Sequence, residues 1–180
     1  ARFGHKLVWF ESRIWAIGGY NSVDVLSKVE SYDLSSNSWQ DEASLTSTRH
    51  LPTAWVANNR IYVAGGTETT DLAYSNTIES YNPKTKAWIN AGNFPEKTIA
   101  ADSVVHNDEV YVIGGKTEIG VVSDKVYAAD LNASVEGVYD LYRKTITKEI
   151  LAQDILSDLN ATIGLDRLSS NVLSDLNRTI

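Results

Sequence analysis

The chain has 180 residues, 43% of them hydrophobic and 22% charged, a composition that can bury a core and is not that of a disordered segment. Its formal net charge of −7 argues against nucleic acid and against an anionic membrane surface, since both attract basic faces. The absence of cysteine excludes disulfides, thiolate metal sites and cysteine nucleophiles, and no apolar run approaches the roughly 18 residues of a membrane span.

In chain order, "KLVWF" (6–10) and "RIWAIGG" (13–19) predict two strands joined at Glu11-Ser12, the second ending in a glycine pair. A loop over Tyr20–Leu26 follows. Then "KVESYDLSSNSW" (28–39) reads as strand, turn and strand, with the turn at Asp33–Asn37. The pattern returns as "TAWVA" (53–57), Asn58-Asn59, "RIYVAGG" (60–66), a loop over Thr67–Ser75, and "TIESYNPKTKAW" (77–88) with its turn at Asn82–Lys86. It returns again as "DSVVH" (102–106), Asn107-Asp108, "EVYVIGG" (109–115) and a loop over Lys116–Ser123. Asn and Asp tolerate the positive φ of tight hairpin turns, so each unit opens with a β-hairpin. In the third unit "KVYAADLNASVE" (125–136) has Ala129 where the first two have Tyr and Glu136 where they have Trp. Its outer strand is therefore expected to be degraded or absent.

All five Trp lie in residues 1–131 and the last aromatic residue is Tyr142. A boundary is expected near Asn132, with 132–145 a linker or degraded outer strand. Residues 146–180 then carry a 17-residue repeat, Ile146–Thr162 over Ile163–Thr179. At about 100° per residue, 17 residues fall roughly 100° short of five turns, so one continuous helical seam is disfavoured. Each copy instead predicts a short helix, "DILSDLN" and "NVLSDLN", closed by a turn. Leu151, Ile155, Leu156 and Leu159, with Leu168, Val172, Leu173 and Leu176, are the expected assembly positions, because so few apolar residues cannot fold such a unit alone.

Four strands per unit, with a period just under 50, is the pattern of a propeller blade. With the glycine pairs, Tyr32 and Tyr81, and Trp39 and Trp88 in phase, residues 1–131 resemble kelch repeats. The expected fold is mainly β: three kelch-type β-propeller blades, a partial propeller, followed by the helical repeat tail at 146–180. The resemblance implies that Trp39 and Trp88 fill the space between blades. It also implies that Gly18, Gly65 and Gly114 permit close backbone approach. Three blades do not close a ring, so either the chain is a piece of a longer one with further blades, which is favoured, or blades of another chain complete it. The tail resembles the short repeats of bacterial surface and phage-fibre stalks.

No phosphate loop and no Gly-x-Ser-x-Gly nucleophile motif is present, His5, His50 and His106 have no ligand spacing, and no cofactor or metal is expected. The copper oxidases among kelch propellers use a Tyr–Cys crosslink, which this chain cannot form. Kelch proteins bind partners on the face where the loops between second and third strands gather with the blade-to-blade connections. Carried onto this sequence, the expected partner-binding residues are Tyr20, Asp24, Arg49, His50, Glu68, Asp71, Tyr74 and Glu118. The expected function is a non-enzymatic binding or structural module of a surface or extracellular protein. Its ligand would be a protein or glycan, and the tail would provide self-association. Two alternatives stand beside it: a carbohydrate-active kelch enzyme of the sialic-acid type, and an intracellular kelch substrate receptor.

Overall fold

In the computed structural model, residues 1–118, 121–131 and 142–143 are described. The helical repeats expected at 146–180, with their assembly positions from Leu151 to Leu176, lie outside the described residues.

Three two-residue turns start three sheets. Glu11-Ser12 (φ 47° and 61°), Asn58-Asn59 (47° and 55°) and Asn107-Asp108 (47° and 60°) all take positive φ at both positions. That backbone matches the right-handed twist of the strands it joins. The first sheet is β1 (Lys6–Phe10), β2 (Arg13–Ile17), β3 (Val29–Asp33) and β4 (Ser38–Asp41), antiparallel and in chain order. The second repeats it with β5 (Thr53–Ala57), β6 (Arg60–Ala64), β7 (Thr77–Asn82) and β8 (Ala87–Asn93).

The third sheet departs from the other two. β9 (Asp102–His106) and β10 (Glu109–Ile113) pair as expected, but the following loop contains a small hairpin of β11 (Lys116–Glu118) and β12 (Val121–Val122). β13 (Val126–Asp130) then pairs with β10. The outer strand, expected to be degraded or absent, is the two-residue β14 (Tyr142–Arg143), within the stretch expected to be a linker or degraded outer strand.

Side-chain alternation decides how the sheets stack. In the second sheet almost every position of β5 and β6 is buried, whereas β1 and β9 alternate or face solvent. The middle sheet is covered on both faces and the flanking sheets on one. Phe10, Trp15, Ile17 and Val29 of the first sheet pack on Ile61, Val63, Tyr81 and Trp88 of the second. Tyr62 and Ile78 of the second, with Phe94 just after it, pack on Val110, Val112 and Tyr127 of the third. Trp88 is 6% exposed, lies 5.4 Å from the Tyr81 ring and donates its indole N–H to Ala43 O at 2.8 Å. Trp39, expected to fill the same kind of space, does not: it is 54% exposed, on the face of the sheet that also carries, across Ile14 and Tyr32, Trp9 at 59% and Leu7 at 53%. Its face of the first sheet looks away from the second, and no described element covers it.

The glycine pairs mark where connections cross. A Cβ on Gly18 would stand 2.4 Å from Arg49 O, and one on Gly65 2.4 Å from Thr98 O, each in the connection to the next sheet. The second glycine of each pair meets the connection that precedes its own sheet, as Gly66 does at His50 O, 2.9 Å from a Cβ. At Gly114 the nearest atom is 3.7 Å away, so only its φ of 69° distinguishes it.

Candidate partner-binding site

Each glycine pair is followed by a residue that pairs twice. Tyr20 bridges Phe3 and Val25, Thr67 bridges His50 and Tyr74, and Lys116 bridges Ile99 and pairs with Val122. These bridges tie each loop to the connection entering its sheet, on one side of the stack. Tyr20 and Thr67 therefore stand side by side, each with its connection residue, Phe3 or His50, in front.

Between the first two sheets this produces a cavity of about 200 Å3, lined by Phe3, Tyr20, Val25, His50, Thr67, Thr69, Thr70 and Leu72. The Phe3 ring stands edge-on to Tyr20 at 5.5 Å and to His50 at 5.4 Å, and Tyr20 and His50 are 5.7 Å apart. His50 is held against Gly4, where a Cβ would fall 2.3 Å from its ring. Burial lowers the His50 pKa, so the ring is neutral at pH 7. Thr67 is fully buried, yet its Oγ1 has no hydrogen-bond partner. A buried hydroxyl left unpaired costs free energy that a ligand donor or acceptor would recover. The pocket thus offers an aromatic wall, a row of threonines and two unmet hydrogen bonds, at Thr67 Oγ1 and His50 Nε2, a combination suited to gripping an apolar side chain with a polar neighbour.

Of the residues expected from the sequence, Tyr20 and His50 line this cavity. Tyr74 is half-buried and paired with Thr67, and Glu68 is tied by its backbone N–H to Ala73 O at 2.9 Å. Asp24 and Asp71 are exposed on the same loops, outside the lining. Glu118 lies in β11 opposite Val121, away from it in sequence and sheet.

Arg49 does not belong to the binding surface. It is fully buried, with Nε and Nη2 on Glu79 Oε1 at 3.0 and 2.9 Å and Nη1 on Gly65 O at 2.7 Å. Glu79 also accepts Thr46 N–H and Oγ1, both at 2.6 Å. With all three guanidinium nitrogens engaged, Arg49 fastens the connection to the sheet. Arg2 repeats this in the first sheet, on Gly18 O at 3.0 Å, Lys28 O at 2.8 Å and Glu30 at 2.5 Å. In the third sheet Thr98 and Tyr127 take the two places. Both members of the pair change together, so neither charge is buried alone.

Sequence reading missed Phe3, Thr67, Thr69, Thr70, Val25 and Leu72. Phe3 had a signal, because the 47-residue offset that relates the first two glycine pairs carries His50 back onto it. Among the described residues no three His, Asp or Glu side chains gather as a metal set.

Comparison with known proteins agrees with this architecture. The KLHDC2/KLHL20/DRC7 Kelch-repeats domain matches residues 1–136. Kelch-like protein 40 of Xenopus laevis is 31% identical over 131 residues, 72% of this chain and 21% of its own length. An F-box/kelch-repeat protein of Arabidopsis thaliana is 32% identical over 134 residues, 69% of this chain and 33% of its own. The chain thus spans about a fifth to a third of these relatives. The solved structure of YjhT superposes with a TM-score of 0.71 at 19% identity, over 82% of this chain and 52% of that one, a likeness of fold.

Proposed function

Because this chain belongs to the kelch-repeat family, we propose that it is a recognition module that takes a segment of a partner protein on its loop face. The segment's anchor is an apolar side chain seated between Phe3, Tyr20 and His50. A polar group of the segment meets Thr67 Oγ1. The observation that carries this reading is the cavity itself, which combines aromatic walls with a fully buried, unpartnered hydroxyl. Aromatic side chains in such a pocket contribute large contact area at low entropic cost.

For the whole protein, the role of substrate receptor gains support from relatives named as kelch-like and F-box/kelch-repeat proteins. The surface or extracellular placement rests on the repeated tail, outside the described residues, and the recognition role is proposed independently of it. For the sialic-acid alternative, Arg49 is the one guanidinium among the expected loop-face residues, and it has no nitrogen to spare for a substrate carboxylate.

Selection of a displayed random-peptide library against the chain tests the reading. Selected peptides should share an apolar anchor and lose at least tenfold in affinity with Tyr20→Ala, and less with Thr67→Val. Ser36→Ala, in the exposed β3–β4 turn of the first sheet, should leave them unchanged. Peptides indifferent to both pocket substitutions would overturn the assignment. Binding confined to a glycan array would move the ligand from protein to carbohydrate.

A further inference from the structure

The two hairpin turns of the second sheet, at the end opposite the loop face, enclose a second cavity of about 260 Å3, lined by Asn58, Asn59, Arg60, Asn82, Pro83 and Lys84. It carries two cations and no acid. Arg60 makes no ion pair among the described residues, and its Nη1 is shielded from solvent without a hydrogen-bond partner. A guanidinium shielded in this way is costly unless an anion meets it.

The first sheet shows what is missing. There Arg13 holds the place of Arg60 and stands opposite Asp33 in the strand register. Arg13 Nη2 bonds Asp33 Oδ2 at 2.8 Å. The other oxygen of Asp33, Oδ1, accepts the Ser35 N–H at 2.8 Å and so closes the β3–β4 turn. One carboxylate therefore does two jobs. Asn82 occupies the corresponding position in the second sheet and keeps the first of them: its Oδ1 accepts the Lys84 N–H at 2.9 Å. The second is lost, because an amide carries no charge. The exchange of Asp for Asn preserves the turn and leaves Arg60 without its counter-ion.

We propose that the cavity at Arg60 binds a carboxylate, the Asp or Glu side chain of an acidic segment of a partner protein, which takes the place Asp33 holds beside Arg13. Arg60 supplies the forked donors that fit a carboxylate, Lys84 adds a second positive charge, and the Asn82 amide N–H2 is the remaining donor. A phosphate has the same oxyanion chemistry. The carboxylate is favoured because the chain itself uses one against the matching arginine.

Fluorescence anisotropy with a labelled, end-capped hexaglutamate peptide tests the site on the full chain. Wild type should bind it and ignore the matching hexaglutamine peptide. Raising salt should weaken binding. Arg60→Gln should weaken it at least tenfold. Asn82→Asp should weaken it by a similar factor, while raising or preserving thermal stability, because it restores the internal pair. That second variant separates loss of the site from loss of the fold. Equal binding by wild type and Asn82→Asp would overturn the proposal. So would failure of wild type to bind the peptide, including the case in which inorganic phosphate alone binds.

Discussion

At Gly65 one added methyl group would need the space that Thr98 O already fills, 2.4 Å away, on a backbone with φ of 65°. At Gly114 the φ is nearly the same and the nearest atom, Ser123 O at 3.7 Å, is at ordinary contact distance. Gly114→Ala should therefore cost about 1 kcal/mol, the strain of the left-handed conformation alone. Gly65→Ala should cost at least about 1 kcal/mol more, measured by denaturant unfolding. Equal costs would mean that the crossing connection yields freely. His50 makes a different prediction. Burial holds its pKa below the ordinary histidine value near 6.5, and burial together with the charge of Arg2 does the same to His5. Below that value the unfolded chain binds protons that the folded chain refuses, so stability is lost as pH falls through and below this region. His50→Phe, which installs the side chain found at Phe3, should lose less melting temperature between pH 7 and pH 5 than wild type does. An unchanged loss would place the acid sensitivity elsewhere.

Trp39 and Trp88 occupy one position of one repeated element, and only packing distinguishes them. Trp88→Ala opens a cavity between two sheets and strands the Ala43 carbonyl, and should cost about 3–5 kcal/mol. Trp39→Ala removes a half-exposed ring and should cost about 1 kcal/mol or less. A large loss at Trp39 would show that something covers that face in solution. The strands and turns were legible in the sequence because the signals are local: alternation, a glycine pair, and Asn or Asp where φ is positive. Glu11-Ser12 was legible only by its place in the repeat, since neither residue favours that turn. The site was half legible. Tyr20 and His50 lie on loops that repeat in phase, but Phe3 and Thr67 reach them through single long-range bridges that no local pattern encodes. Arg49 was misplaced because a charge in a connection reads as surface. Its burial follows from Glu79, thirty residues away, and only the parallel Arg2–Glu30 pair carries a trace of that in the sequence.

The outward faces of the first and third sheets carry Leu7, Trp9 and Trp39 on one side and Val104 and Ile113 on the other, all exposed. Contiguous apolar surface of this kind drives association. Trp9→Lys combined with Trp39→Lys should shift sedimentation of the chain toward the smaller species while leaving its melting temperature within a few degrees; unchanged sedimentation would mean that this face is not sticky. The middle sheet has another consequence. A stack whose packing runs mainly between neighbouring layers, with the first and third joined by the Lys6–Asp102 ion pair, unravels from its ends, and the cost of opening grows with each layer that must leave first. Amide protons of β6 and β7 should thus exchange with solvent deuterium only when the whole stack opens, while those of β1 and β9 exchange earlier, through partial openings. Time itself would then be ordered along the stack, and a clock read at each backbone N–H would run slowest in the middle.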